Sequence, residues 1–152
     1  MSARMVQDIL IVRAPENIPE RRLEKAVAEL KARIERKQLK EELNTHENLA
    51  QRAKEINLRY FENKLNINSI EYVTDQNSKF GCCNCRTGCI RISHRISALP
   101  QWVRDYVIIH ELAHLVVPGH SKAFWDVVNR YKLTERARGY LVAIGGKEEG
   151  ED

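Results

Sequence analysis

The sequence predicts an α+β chain in which long charged helices precede a small antiparallel sheet packed on one apolar helix. Three observations carry this. Leu23, Val27, Leu30 and Ile34 recur at spacings of three and four among Arg, Lys and Glu residues, the period of an amphipathic helix. Ile70, Tyr72 and Thr74 alternate with Glu71, Val73 and Asp75, the period of a half-buried strand. Val107 to Val117 is apolar at most positions and follows a helix-starting Pro100.

Taken in order, Ile9 to Val12 is mostly β-branched and is followed by Pro15, so it reads as a short strand or extended arm. The first helix spans Ile18 to about Lys40. Asn44, Thr45 and Asn48 then break the pattern and offer caps. A second helix runs from Asn48 to Lys64, with Leu49, Ala53, Ile56, Tyr60 and Phe61 near one face. After the strand around Ile70, Gly81 and Gly88 bracket a turn-rich stretch. Cys89 to Ser93 is a further strand with Ile90 and Ile92 on one side. The helix from Pro100 ends near Val117, where Pro118-Gly119 stops it. Ser121 to Tyr131 and Glu135 to Val142 follow as helices. The expected organisation is an N-terminal strand and helical region over 1–65, a core over 66–144 and a polar tail over 145–152, together forming one compact domain.

At 152 residues the chain is long enough for one domain with a modest core. Its net charge of +4 favours weak contact with acidic surfaces but does not mark a nucleic-acid binder. The longest apolar stretch is interrupted by His110, Glu111 and His114 and is too short to span a bilayer. Met1 to Val12 lacks the apolar core of a signal peptide, so a cytoplasmic location is expected. Cys82, Cys83, Cys85 and Cys89 crowd one stretch, which argues against a disulfide framework in a reducing compartment. Cys82 and Cys85 have C-x-x-C spacing, but a zinc ribbon needs two such knuckles. These cysteines are therefore expected to be reduced packing residues rather than a second metal site.

Chemistry concentrates at His110-Glu111-Leu112-Ala113-His114, an H-E-x-x-H pattern. On a helix, residues four apart share a face one turn apart, so both imidazoles can hold one tetrahedral Zn²⁺. Glu111 then sits beside the metal as a general base. Val107, Ile108, Ile109, Leu112, Ala113, Leu115 and Val116 surround the motif, which places it on a buried helix. Burying two histidines and a glutamate is costly unless something pairs with them, and a metal does so.

A catalytic zinc takes three protein ligands and keeps one open position. His120 is the favoured third ligand: it follows His114 by six positions, just after the Pro118-Gly119 turn. The metzincin pattern has its third histidine at that offset, but this chain has Val117 where that pattern has glycine, and no later methionine. Glu135 is the rival, giving a gluzincin-like site. Arg136, Arg138 and Tyr140 are near enough in sequence to stabilise an oxyanion, and nothing in the sequence selects one of them. His46 and His94 read as ordinary polar residues.

Tyr106 to His114, followed by Gly119-His120-Ser121 and Phe124-Trp125, resembles the YgjP-like metallopeptidase domain and, more distantly, the SprT-like proteases. Lys79-Phe80-Gly81-Cys82-Cys83 stands where that family tends to have Arg-Trp-Gly-Ser-Cys, and Ile90-Arg91-Ile92-Ser93 matches the strand before its active-site helix. Phe80 and Cys82 are departures from it. The resemblance covers residues 70 to 143 well and the N-terminal half weakly. It implies a zincin-like fold with Zn²⁺ on His110, His114 and His120 and with Glu111 as base.

The expected function is hydrolysis of a peptide or protein substrate by a zinc-activated water, with the strand at Ile90 to Ser93 pairing with the extended substrate. The rival is a non-catalytic, metal-stabilised adaptor associated with nucleic acid, which the positive charge favours. Glu111 favours the enzyme, because a purely structural site needs no base.

Overall fold

The computed structural model describes residues 1–46, 48–76 and 79–145. The acidic end of the expected tail, 146–152, lies outside them. Contacts divide the chain into two units, Met1–Glu42 and Leu43–Asp152.

The first unit opens with a hairpin. β1 (Ser2–Val6) pairs antiparallel with β2 (Ile9–Arg13), in register from Val6↔Ile9 to Ser2↔Arg13. Only Gln7 and Asp8 connect them, with φ of 48° and 66°, the left-handed conformation that a two-residue hairpin turn demands. The strand expected at Ile9–Val12 is thus half of a hairpin. Its partner has no sequence signal, because Gln-Asp is not the usual Asn-Gly turn pair. Helix α1 (Glu20–His46) follows.

α1 continues past the break expected at Asn44 because that side chain is used elsewhere. Asn44 Nδ2 donates to Tyr72 O at 3.0 Å, and Tyr72 N donates to Asn44 Oδ1 at 2.8 Å. The amide thereby pairs with an outer-strand residue as a strand neighbour would. Asn48 instead caps α2 (Leu49–Phe61), accepting from Gln51 N at 3.1 Å. The helix stops where Glu62 and Asn63 turn left-handed. Leu49, Ala53, Ile56 and Phe61 are buried in the core of the second unit.

The sheet comprises β3 (Ser69–Val73), β4 (Gly81–Asn84) and β5 (Cys89–Ser93) in the order β3-β5-β4. β4 and β5 form an antiparallel hairpin, but β3 runs parallel to β5. The sheet expected to be antiparallel is therefore mixed. The turn-rich stretch also contains a strand of its own, too short and too rich in cysteine to show alternation. Ile90 and Ile92 point from the central strand into the core. A 3₁₀ turn over His94–Ala98 leads to Pro100, which caps α3 (Gln101–Ala113).

α3 is buried on all sides from Asp105 onward, as a helix crossing the centre of a core must be. It is shorter than its apolar run. After Ala113 the chain tightens into i→i−3 bonds, with Leu115 N on Leu112 O and Val116 N on Ala113 O, both at 3.0 Å. Then come α4 (Lys122–Val128) and α5 (Thr134–Ala143). Among the described residues, no helix is long and apolar enough to cross a membrane.

Candidate metal centre

His110 and His114 close the C-terminal end of α3, one turn apart, with ring centroids separated by 5.2 Å. Gly119, at a φ of +79°, turns the chain back after Pro118. That reversal brings the His120 ring to 4.9 Å from His114 and 5.5 Å from His110. One ring nitrogen from each of the three lies within 4.8 Å of the others. Among the described residues no other group of three or more His, Cys, Asp or Glu gathers in this way.

The rings are wedged from behind. Phe124 of α4 stacks on His114 with centroids 4.4 Å apart and 17° between planes, and meets His110 and His120 edge-on at 5.0 Å. Trp125 lies 5.9 Å from His110 and carries the Arg138 guanidinium 4.2 Å above its own ring. The Tyr106 hydroxyl lies 3.3 Å from His110 Nδ1, fixing that ring's inner nitrogen and leaving Nε2 for the cluster.

Glu111 is 2% exposed, on the same buried helix. Its carboxyl group lies against Gly81 of β4: a Cβ at that position would stand 2.8 Å from Glu111 Cγ and Oε1. The sequence marked Gly81 only as a turn boundary and as part of a resemblance. The residue's bareness makes room for a carboxylate, a role visible only once β4 is placed against α3.

Cys85 Sγ donates to His114 O at 3.1 Å. Cys83 is a half-buried thiol whose pKa is pushed up to about 12, by desolvation first and then by the nearby Cys85 and Glu111. None of the four cysteines is in a disulfide. Glu135 stands in the first turn of α5, exposed, and accepts from Arg138 Nη1 at 3.2 Å. β5, expected to pair with a substrate, is the central strand with both edges filled, whereas β4 has an outer edge.

Three histidines so placed could hold a metal ion beside the buried Glu111. Residues 64–136 match the family model described as "YgjP-like, metallopeptidase domain", the family that the motifs of this segment resemble. The fold is also similar to that in the crystal structure of the metallopeptidase zymogen of Pyrococcus abyssi abylysin. The TM-score is 0.57 at 18% identity, over 67% of this chain and 100% of that one. At that identity the likeness concerns the fold. No curated protein matches the chain significantly.

Proposed function

We propose that the chain is a zinc-dependent endopeptidase-like hydrolase acting on peptide or protein substrates. In this reading His110, His114 and His120 hold one Zn²⁺, and Glu111 is the general base. The observation that carries it is the convergence of three imidazole nitrogens within 4.8 Å beside a buried carboxylate. The donor set fits the ion: tetrahedral zinc keeps its nitrogens roughly 3.3 Å apart, which small ring rotations reach. Histidine-only ligation with a neighbouring glutamate suits a catalytic centre with an open position better than a structural one.

When bound, zinc supplies Lewis acidity to the attacking water and the scissile carbonyl. The residues supply the rest. Glu111, confined between α3 and Gly81, takes a proton from the attacking water and returns it to the leaving amine. Tyr106 orients His110, and Phe124 keeps the three rings from splaying. The outer edge of β4 offers main-chain groups along which an extended substrate can lie.

The test compares the zinc-loaded wild type with Glu111→Gln on an unstructured protein substrate, with metal content measured for both. Gln is nearly isosteric but has no basicity, so the variant is expected to keep one zinc and lose hydrolysis by at least about a hundredfold. Hydrolysis within a few-fold of wild type would remove Glu111 from the base role. A wild type that takes up no zinc would remove the reading altogether.

A further inference from the structure

A cleft of about 830 Å³ opens on the second unit between α2, the start of α3 and the connection from α4 to α5. It shares no residue with the histidine cluster. Asp105, which lines it, lies about 140° around α3 from His110.

Four cationic side chains line this cleft, namely Arg52, Arg59, Arg130 and Lys132, against two acids, Glu55 and Asp105. Arg52 engages both acids. Its Nε and Nη2 donate to Asp105 at 2.8 and 2.6 Å, and its Nη1 donates to Glu55 at 2.9 Å. Arg59, Arg130 and Lys132 are exposed, and among the described residues none has a carboxylate at ion-pair distance. Glu62, whose carboxylate is close enough to interact with Arg130, is taken by Lys64 at 2.7 Å.

These cations are partly held in place. Arg130 Nη1 donates to Tyr60 O at 3.1 Å, and the Arg59 guanidinium lies 5.3 Å from the Tyr60 ring centroid. One residue thus gathers two arginines at the rim. Aromatic rings form the wall beside them. Tyr60 meets Tyr131 edge-on at 5.7 Å, and the Tyr131 hydroxyl donates to Trp102 O at 2.8 Å, which locks the floor. Tyr60 and Trp102 are half-buried and so retain open surface.

Three cations that line one cleft with no carboxylate at ion-pair distance repel one another, and an anion relieves that repulsion. Guanidinium groups match phosphate oxygens in a planar, bidentate geometry. Aromatic walls suit a flat ring system. The volume falls within the roughly 300–1,000 Å³ of small-molecule sites, well beyond what inorganic phosphate fills. We propose that this cleft binds a mononucleotide, with its phosphate on Arg59, Arg130 and Lys132 and its base along Tyr60 and Trp102.

Calorimetric titration with adenosine monophosphate, inorganic phosphate and adenosine, at fixed low salt, tests this. Adenosine monophosphate is expected to bind at least ten-fold more tightly than either fragment. The Arg59→Gln/Arg130→Gln double variant, two exposed positions whose folding circular dichroism checks, is expected to weaken it at least ten-fold. Affinity should be the same with and without chelator. Equal affinity for inorganic phosphate, binding unchanged in the double variant, or binding abolished by the chelator would each overturn the proposal, the last by placing the anion on the histidine cluster. Absence of binding at millimolar nucleotide would overturn it as well.

Discussion

The side chain that Gly81 lacks leaves room for Glu111 in the candidate site. Gly81 has an ordinary φ, so alanine is allowed there by the backbone. The obstacle is Glu111, whose Cγ and Oε1 would lie 2.8 Å from the new Cβ. Neither can yield easily, because α3 is buried around them. Gly81→Ala is therefore expected to push the carboxylate aside, and displacing a reacting group by about an ångström costs on the order of a hundredfold in rate. Overpacking adds roughly 1–3 kcal/mol of destabilisation. Zinc content should hold, since the three atoms nearest the added Cβ all belong to Glu111 and not to a histidine; kcat falling with zinc retained, checked by kinetics and metal analysis, is the expected signature. The cysteines give a second residue-scale test. Burial pushes the Cys83 thiol up to about 12, so it stays protonated and unreactive at pH 8. Hydrogen bonds from Ser69, Thr87 and Asn68 hold the Cys89 thiol below its usual value. Mass-spectrometric mapping of iodoacetamide labelling at pH 8 is expected to find Cys89 modified well before Cys83, and the opposite order would contradict the burial of β4's inner face.

Between α3 and α4, a short connection rather than a helix sets the third imidazole. Pro118 and Gly119 end one element and reverse the chain, and Phe124 of the next braces all three rings. His120→Ala is thus expected to weaken zinc binding by several orders of magnitude, whereas Glu135→Ala, which removes an exposed partner of Arg138, should change it less than about three-fold. Competition with a chromogenic chelator measures both, and the reverse order would move the site toward the gluzincin pattern. This region was legible in sequence because its signals are local: a four-residue histidine spacing, an apolar helix and a Pro-Gly stop. β4 and the β3–β5 pairing were not legible. Gly-Cys-Cys-Asn has no alternation, and the parallel pairing joins strands separated in sequence by β4 and its connections. Asn44 misled for a related reason, since its side chain bonds Tyr72 rather than ending α1.

At the scale of the molecule, burial is distributed unequally. Every buried hydrophobic residue among those described lies at Leu49 or later, and no described residue of Met1–Glu42 is buried. The periodic stripe Leu23, Val27, Leu30 and Ile34 is real as a pattern, yet those side chains remain half-buried. Periodicity reports which face is apolar, not how deeply it is covered. The family match begins at residue 64, well inside the second unit. Stability should then reside in that unit, where apolar area leaves water. A chain beginning at Leu43 keeps Asn44 for its bonds to Tyr72, the whole core cluster and all three histidines. It is expected to unfold in one cooperative transition at a urea midpoint close to that of the full chain, because no described residue of Met1–Glu42 is buried. It should also bind zinc with unchanged affinity. Urea denaturation and zinc titration of the two proteins measure this. Loss of cooperativity or of zinc in the shorter chain would show that Met1–Glu42 supports the core although none of its described residues is buried.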